Sequence, residues 1–371
     1  MNNCLIKKGI ISENEINSIV REFSIDINAT QKVVFSNQII PATSSIFRLI
    51  PEKISNPLYK NLKLPNDVYI LHSPDIVEIS CFPHLVGEEL DKRCLRIGKA
   101  CAKVIQKLWP SDETTTLIYD VLRAGPGYRI WEGLKNFGIE LKRIKIRPHY
   151  KIVSYRCHDL NSHQLETIFK NFSALPPKQE LTIIKPDTEA SGRTSILAIE
   201  ELVKEAKIKH SKIKDIIFTG YISVPSLSVL KKLADKYNFK AKILAWGNLT
   251  ALYDNNYDMP IYGLDESVWR EKGELRKLGS IIPLEILKDY LKYYVPGADQ
   301  PGDWSARQSF IDTGLGMEPG GIPKHLENSL KFINNLYELS KCQSWYRPWH
   351  EKIFQNELET LKQMINQKPL L

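Results

Sequence analysis

The sequence predicts an α/β fold built around a parallel β-sheet. Apolar segments of strand length alternate with amphipathic helical segments, and two of the apolar segments end in a glycine-containing turn that leads directly into a helix. Alternation of this kind is typical of βαβ units, in which helices cover both faces of a parallel sheet. The predicted strands of the sheet are 117–121, 143–147, 181–184, 215–223 and 241–246. The predicted helices around it are 87–109, 129–136, 195–203 and 226–237.

Additional segments are predicted on either side of this core. The N-terminal part contains a helix over 16–23, opened at Ser12 by a capping-box-like start, followed by short extended pieces. The C-terminal part contains helical segments at 281–294, 324–342 and 351–364. We therefore expect an N-terminal extension over 1–75, a core over 76–275 and a helical C-terminal extension over 276–371.

Composition excludes several classes of protein. The chain has 371 residues, 43% hydrophobic and 25% charged, which is typical of a globular protein. It contains no apolar run near the roughly twenty residues of a membrane span and no signal-peptide pattern, so a cytoplasmic protein without a membrane partner is expected. The net charge of +8 comes from lysines spread along helix faces among acidic residues, and no nucleic-acid-binding module is predicted.

The segment 181–194 carries the strongest functional signal. A short apolar strand leads to Asp187, then to a turn of small residues at 190–194, and then to a helix. The free N–H groups and the positive dipole end of a helix N-terminus make such a turn a phosphate cradle. The alternative is an ordinary strand-to-helix turn capped by Ser191 or Thr194.

Two further segments have a similar character. Residues 117–128 again form a strand and a glycine-containing turn, with the string Val-Leu-Arg-Ala-Gly-Pro-Gly at 121–127. Residues 259–266, Met-Pro-Ile-Tyr-Gly-Leu-Asp-Glu, follow the last predicted core strand. His325 and His350 match no zinc-binding spacing, so no metal site made by protein side chains is predicted.

These three segments, in this order over about residues 85–268, resemble the type I phosphoribosyltransferases, and most closely the uracil phosphoribosyltransferases. The 181–194 segment resembles their loop for 5-phosphoribosyl-1-diphosphate (PRPP). The 121–127 string resembles their Leu-Arg-Ala-Gly-x-Gly segment, and 259–266 is similar to their Ile-Pro-Gly-Leu-Gly-Asp segment. Arg147 falls where the family carries a diphosphate-binding arginine.

The resemblance implies a PRPP-dependent transferase that uses Mg²⁺, releases diphosphate and forms a homodimer or higher homo-oligomer. Asp187 would hold the ribose hydroxyls, Arg123 and Arg147 would stabilise the leaving diphosphate, and Asp265 or Glu266 would orient or deprotonate a nitrogenous acceptor. The implied PRPP-binding residues are Ala124, Gly125, Gly127, Thr188, Glu189, Ala190, Ser191, Gly192, Arg193 and Thr194. The implied acceptor-binding residues are Ile261, Tyr262, Gly263, Leu264 and Glu266.

The chain departs from the family at three points. Pro186 stands at the first acidic position of the PRPP loop, Arg193 replaces its second glycine, and the 263–266 segment lacks a glycine. The expected acceptor is accordingly a uracil-like base or a ring that is larger or more basic. The alternative is a non-catalytic relative that senses PRPP or a nucleotide. The tail tryptophans Trp304, Trp345 and Trp349 either pack a helical appendage onto the core or form a lid or acceptor pocket.

Overall fold

The sheet at the centre of the protein is mostly parallel. The structure is a computed structural model that describes residues 11–35, 40–110, 115–139, 141–150, 165–267 and 276–367. Nine strands of this described part form one sheet in the order β1-β2-β3-β9-β8-β7-β4-β5-β6. Their bounds are β1 Thr30–Val33, β2 Ser45–Leu49, β3 Asp67–His72, β4 Thr115–Val121, β5 Lys142–Tyr150, β6 Leu165–Asn171, β7 Glu180–Pro186, β8 Lys212–Ser223 and β9 Lys240–Thr250. The six strands from β3 to β5 pair in parallel, and antiparallel strands flank them at both edges.

Helices cover both faces of the sheet. One face packs against α2 (Pro74–Cys81), α3 (Gly87–Leu108) and α4 (Ile130–Lys135). The other packs against α5 (Arg193–Ile208) and α6 (Val224–Tyr237). Successive strand residues alternate between the two layers, so that Ile183 joins one apolar cluster and Ile184 the other. The predicted α/β class with a parallel core sheet is confirmed.

Both predicted extensions contribute residues to the hydrophobic core. Helix α1 (Glu13–Glu22) begins with the predicted capping box at Ser12 and buries Ile16 and Ile19, while β1 to β3 add directly to the sheet. The C-terminal part contains α7 (Leu284–Tyr290), α8 (Trp304–Arg307), α9 (Ile322–Lys341) and α10 (Pro348–Asn366), with the short strand pairs β10 (Gly263–Asp265)–β11 (Arg276–Leu278) and β12 (Phe310–Asp312)–β13 (Met317–Pro319). The predicted helix over 281–294 is shorter because Pro283 precedes its first turn.

None of the described helices combines the length and the apolar character needed to cross a lipid bilayer.

Candidate functional site

The candidate site lies where two parallel strands end side by side. Strands β4 and β7 are neighbours, and the turns that follow them meet at the carboxyl edge of the sheet. A Cβ atom on Gly125 would lie 2.8 Å from the carbonyl oxygen of Pro186, so only glycine lets the turns approach this closely. A cleft of about 210 Å³ opens beside them. Ligands of open α/β sheets bind at this edge, outside the carboxyl ends of the strands.

The turn after β7 forms one wall of the cleft. Residues 187–194 all line it, and α5 begins at Arg193. Gly192 is the N-cap and has φ of 74°, a left-handed conformation that favours glycine, and no described side chain caps the helix. Capping by Ser191 or Thr194, the alternative interpretation of this turn, is therefore not what the structure shows. An uncapped first helical turn can offer its N–H groups to an anion.

A buried lysine joins two carboxylates beneath this wall. The Nζ atom of Lys185 lies 2.7 Å from Asp187 Oδ2 and 2.6 Å from Glu189 Oε1, and all three side chains are at least 95% buried. Ser195 Oγ donates to the Glu189 carboxylate at 2.6 Å, and the Thr188 N–H donates to Asp187 Oδ1 at 2.8 Å. We call Lys185, Asp187 and Glu189 the Lys185 bridge.

The Lys185 bridge carries one more negative than positive charge when both carboxylates are ionised. Burial raises the pKa of Asp187 to about 6, against the lowering effect of Lys185. Burial by itself would lower the pKa of Lys185, but Asp187 and Glu189 raise it overall. Lys185 therefore keeps its proton, and Asp187 takes up a proton at a higher pH than an ordinary aspartate does.

Arg193 and Thr194 extend the wall towards strand β5. The Nη1 atom of Arg193 is buried and has no hydrogen-bond partner among the described residues. The hydroxyl of Tyr150, at the end of β5, hydrogen-bonds the side chain of Thr194, and burial raises the pKa of this tyrosine. Tyr150 also lines the cleft, although no motif in the sequence indicates a role for it. A buried guanidinium nitrogen without a partner is well suited to a phosphate oxygen.

The turn after β4 forms the second wall and is held by the C-terminal extension. Arg123 is exposed at the cleft and has φ of 76°. Its N–H donates to the Asp312 carbonyl at 3.0 Å, and its own carbonyl accepts from Gln308 Nε2 at 2.8 Å. The indole of Trp304 donates to the Ala124 carbonyl at 3.2 Å. These contacts hold an unusual backbone conformation that presents the Arg123 side chain to the cleft.

The third wall comes from residues 299–305 and from Asn256, Tyr257 and Met259. It carries the carboxylates of Asp299 and Asp303 and the ring of Trp304, which stacks on Tyr128 with ring centres 4.6 Å apart. Tyr128 in turn hydrogen-bonds Thr188 Oγ1 at 2.6 Å, which connects this wall to the turn after β7, residues 187–194, which we call the Asp187 turn. The fully buried guanidinium group of Arg307 anchors the segment, because it donates to main-chain carbonyls of the α2 end and the following turn.

The three tryptophans of the C-terminal part do not all have the same position. Trp304 belongs to the cleft, whereas Trp345 and Trp349 pack around His350 in the core. The sequence does indicate that Trp304 follows a loop, because the run of Pro, Gly and Asp residues at 296–303 before it breaks regular structure.

The structure does not bring the predicted acceptor residues to the cleft, which is a correction to the sequence analysis. All five are buried away from it: Ile261, Tyr262, Gly263, Leu264 and Glu266. The Tyr262 ring packs 5.0 Å from the Tyr294 ring, and a Cβ on Gly263 would lie 2.2 Å from the Gly297 nitrogen. This segment thus runs through the core. Gly263 is needed there because two backbone segments pass close to each other at this point.

Asp265 and Arg147 also lie outside the cleft lining. Asp265 Oδ2 is 2.7 Å from a guanidinium nitrogen of Arg276, and the carboxylate is fully buried. Arg147 donates to the Thr313 carbonyl at 3.1 Å, in the loop between β12 and β13. Gly125 and Gly127 pack behind the second wall rather than lining the cleft. Of the predicted catalytic residues, the cleft therefore brings together Asp187 and Arg123.

The residues present do not form a metal site on the Asp187 turn. Mg²⁺ prefers carboxylate and phosphate oxygens, and the acidic residues of the turn are Asp187 and Glu189. The ammonium group of Lys185 already lies between these two carboxylates. Among the described residues, no group of three or more His, Cys, Asp or Glu side chains could hold a metal ion.

Comparisons with known proteins give partial structural likenesses. No protein-family model matches the chain, and no curated protein sequence matches it. The structure is similar to adenine phosphoribosyltransferase from Trypanosoma brucei, solved with AMP, pyrophosphate and ribose-5-phosphate, at 13% identity over 53% of this chain and 90% of that one, with a TM-score of 0.32.

Two other solved structures show likenesses of the same low level. Adenine phosphoribosyltransferase from Thermoanaerobacter pseudethanolicus is 14% identical over 41% of this chain and 85% of that one, with a TM-score of 0.28. A hypothetical protein from Neisseria gonorrhoeae with bound ppGpp is 13% identical over 35% of this chain and 67% of that one, with a TM-score of 0.23. With scores this low, the case for a function depends on the geometry of the cleft itself.

Proposed function

We propose that the protein binds PRPP in this cleft and transfers its phosphoribosyl group to a nitrogenous acceptor, with release of diphosphate. The observation that carries the proposal is the pairing of the two turns. The Asp187 turn, with the uncapped start of α5, and the turn after β4 that carries Arg123 (the Arg123 turn, residues 121–127) face one cleft at the carboxyl ends of adjacent parallel strands. An acidic group for hydroxyls, a helix N-terminus for a phosphate and an arginine for a second anionic group together fit a ribose that carries phosphates at both ends.

Each part of the proposed ligand has a partner in the cleft. The 5'-phosphate binds at the start of α5, where Arg193 and Thr194 line the cleft, and Asp187 accepts hydrogen bonds from the ribose hydroxyls. Arg123 lies across the cleft and stabilises the departing diphosphate electrostatically, which favours loosening of the C1–oxygen bond. Mg²⁺ would arrive on the diphosphate as part of the substrate and supply further charge neutralisation there.

The third wall is the part of the cleft that suits an acceptor. Asp299 and Asp303 are held by main-chain N–H groups of Met259 at 2.7 Å and Ala306 at 3.1 Å, and Trp304 adds an aromatic surface. Two carboxylates favour a ring with several N–H donors or a positive charge. The acceptor is therefore a larger or more basic ring than uracil, and the predicted closeness to uracil phosphoribosyltransferases stays a prediction.

One observation favours a second candidate function, a PRPP- or nucleotide-sensing protein without turnover. The Asp187 carboxylate is almost fully buried and is already engaged by Lys185 and by the Thr188 N–H. A carboxylate bound in this way can accept hydrogen bonds from ribose hydroxyls. It is less able to stabilise the positive charge that develops on the ribose ring during transfer, because Lys185 already offsets its charge.

A diphosphate-release assay with PRPP separates the two functions. Purified protein is incubated with Mg²⁺ and PRPP against a panel of pyrimidines, purines and aromatic amines. We expect release with a larger or more basic ring and a kcat/KM for uracil below about 10⁴ M⁻¹s⁻¹. Uracil turnover above that level would contradict the acceptor assignment. Tight PRPP binding with no diphosphate release for any acceptor would instead support the sensor.

A further inference from the structure

The ammonium group of Lys185 occupies the place on the Asp187 turn where a cation is needed. It lies 2.7 Å from Asp187 and 2.6 Å from Glu189, and its side chain has no exposed surface. The ring of Phe218 provides a third favourable contact, with its centre 5.8 Å from Nζ. A buried lysine with these neighbours remains charged, because each neighbour favours the ammonium form.

A divalent ion at the same carboxylates would be opposed by this ammonium group. Ions such as Mg²⁺ bind carboxylate oxygens at about 2.1 Å. An ion on Asp187 Oδ2, which is 2.7 Å from Nζ, would then lie within roughly 5 Å of the lysine charge. The other Asp187 oxygen accepts from Thr188 N–H, and Glu189 also accepts from Ser195. The turn thus offers a metal ion no free pair of carboxylates, and the nearby ammonium group repels it.

We infer that Lys185 is the built-in cation of the Asp187 turn, so that the turn binds the ribose-phosphate end of its ligand without a divalent metal ion. Lys185 acts as a positioning residue: it holds Asp187 at the cleft and offsets its charge, while Asp187 contacts the ribose. The ligand assignment in this statement rests on the proposed function. The statement about the metal ion concerns the protein alone and is tested separately.

The first test uses the wild-type protein and ribose 5-phosphate. This ligand lacks the diphosphate group of PRPP, so Mg²⁺ cannot reach the cleft bound to a diphosphate. Its affinity is measured by calorimetry in millimolar Mg²⁺ and in EDTA. We expect the two dissociation constants to agree within about twofold. A loss of affinity of about tenfold or more in EDTA would overturn the inference.

The second test uses metal alone and needs no sugar ligand. Millimolar Mn²⁺ should leave the melting temperature of the wild-type protein unchanged. In Lys185→Ala the carboxylates of Asp187 and Glu189 lose their cation, and Mn²⁺ should raise the melting temperature by mass action. Lys170→Ala is the matched control, because Lys170 also bridges two carboxylates, Glu201 and Glu205, but at the surface; Mn²⁺ should have no effect on its melting temperature.

The outcomes are distinct. A rise in the wild-type melting temperature with Mn²⁺ that disappears in Asp187→Asn would overturn the inference, as would a folded Lys185→Ala protein that does not respond to Mn²⁺. If Lys185→Ala does not fold, the wild-type measurements decide. If ribose 5-phosphate does not bind under either condition, the proposed function fails, and the Mn²⁺ measurements still decide the role of Lys185.

Discussion

Two lysines of this protein make the same contacts in opposite surroundings. Lys185 bridges Asp187 and Glu189 with no exposed side-chain surface, at 2.7 and 2.6 Å. Lys170 bridges Glu201 and Glu205 at 2.8 and 3.2 Å with 38% of its side chain exposed. We call the second set the Lys170 bridge. The distances are similar, so the difference between the bridges lies in how much water surrounds them.

Because of this difference, we expect the Lys170 bridge to contribute little to stability and the Lys185 bridge to contribute much more. Water around the Lys170 bridge screens its charges, and either partner can be lost without leaving a buried ion. Water does not screen the Lys185 bridge, so the loss of one partner leaves an uncompensated charge in a medium of low dielectric constant. A buried charge cluster is a costly way to build a turn. Its position directly under the cleft wall is the reason we connect it with ligand binding.

The largest expected effect is the loss of the buried lysine. Lys185→Met keeps most of the side-chain volume but leaves Asp187 and Glu189 without their cation. We expect the free energy of unfolding at pH 7 to fall by about 3–5 kcal/mol. Urea denaturation followed by circular dichroism measures this change. A loss below about 1 kcal/mol would mean that the buried bridge behaves like the exposed one.

The second effect is a dependence of stability on pH. The pKa of Asp187 is about 6 in the folded protein, above the ordinary value of 3.8, because the group is buried. A raised pKa means that the folded state holds this proton more tightly. The contribution of Asp187 is therefore greatest below about pH 4 and is lost as the pH rises through 6.

The pH effect is measured as the difference in unfolding free energy between the wild-type protein and Asp187→Asn, in urea between pH 4 and pH 7. The difference should move against the wild-type protein by on the order of 2 kcal/mol as the pH rises. Glu201→Gln, taken through the same series, controls for a carboxylate of the exposed bridge. A difference that stays constant, or moves in favour of the wild-type protein, would contradict the raised pKa.

The smallest effect is expected at the surface. Lys170→Met removes the cation of the exposed bridge, and we expect the free energy of unfolding to change by less than about 1 kcal/mol. The same urea measurement should show that the small effect shrinks further in high salt, because salt screens exposed charges. A cost close to that of Lys185→Met would show that burial is not what distinguishes the two bridges.

The sequence predicted those parts of the fold and site that are encoded locally. The Asp187 and Arg123 turns each follow their own strand within a few residues, and the alternation of strands and helices brings them to the same edge of the sheet. Lys185 also had a local signal: a lysine at the end of an apolar strand, with acidic residues two and four positions later. This pattern does not by itself predict a buried bridge, because a lysine at the end of a strand is more often exposed.

The rest of the site depends on contacts between distant parts of the chain. Trp304 reaches Ala124 across 180 positions, and neither segment alone indicates the contact. The 261–266 segment resembled an acceptor loop, yet the packing of Tyr262 against Tyr290 and Tyr294 buries it. Local pattern could not distinguish an apolar loop that lines a cleft from one that crosses the core.

The central claim, that the cleft above the Lys185 bridge binds PRPP, is tested most directly by titrating PRPP into the wild-type protein, Asp187→Asn and Glu201→Gln in a calorimeter at pH 7.5. We expect the wild-type protein and Glu201→Gln to bind equally well. Asp187→Asn should lose about 1–3 kcal/mol of binding free energy, because its side chain no longer accepts charged hydrogen bonds from the ribose hydroxyls. Equal PRPP affinity in all three folded proteins, or no binding by the wild-type protein, would contradict the claim.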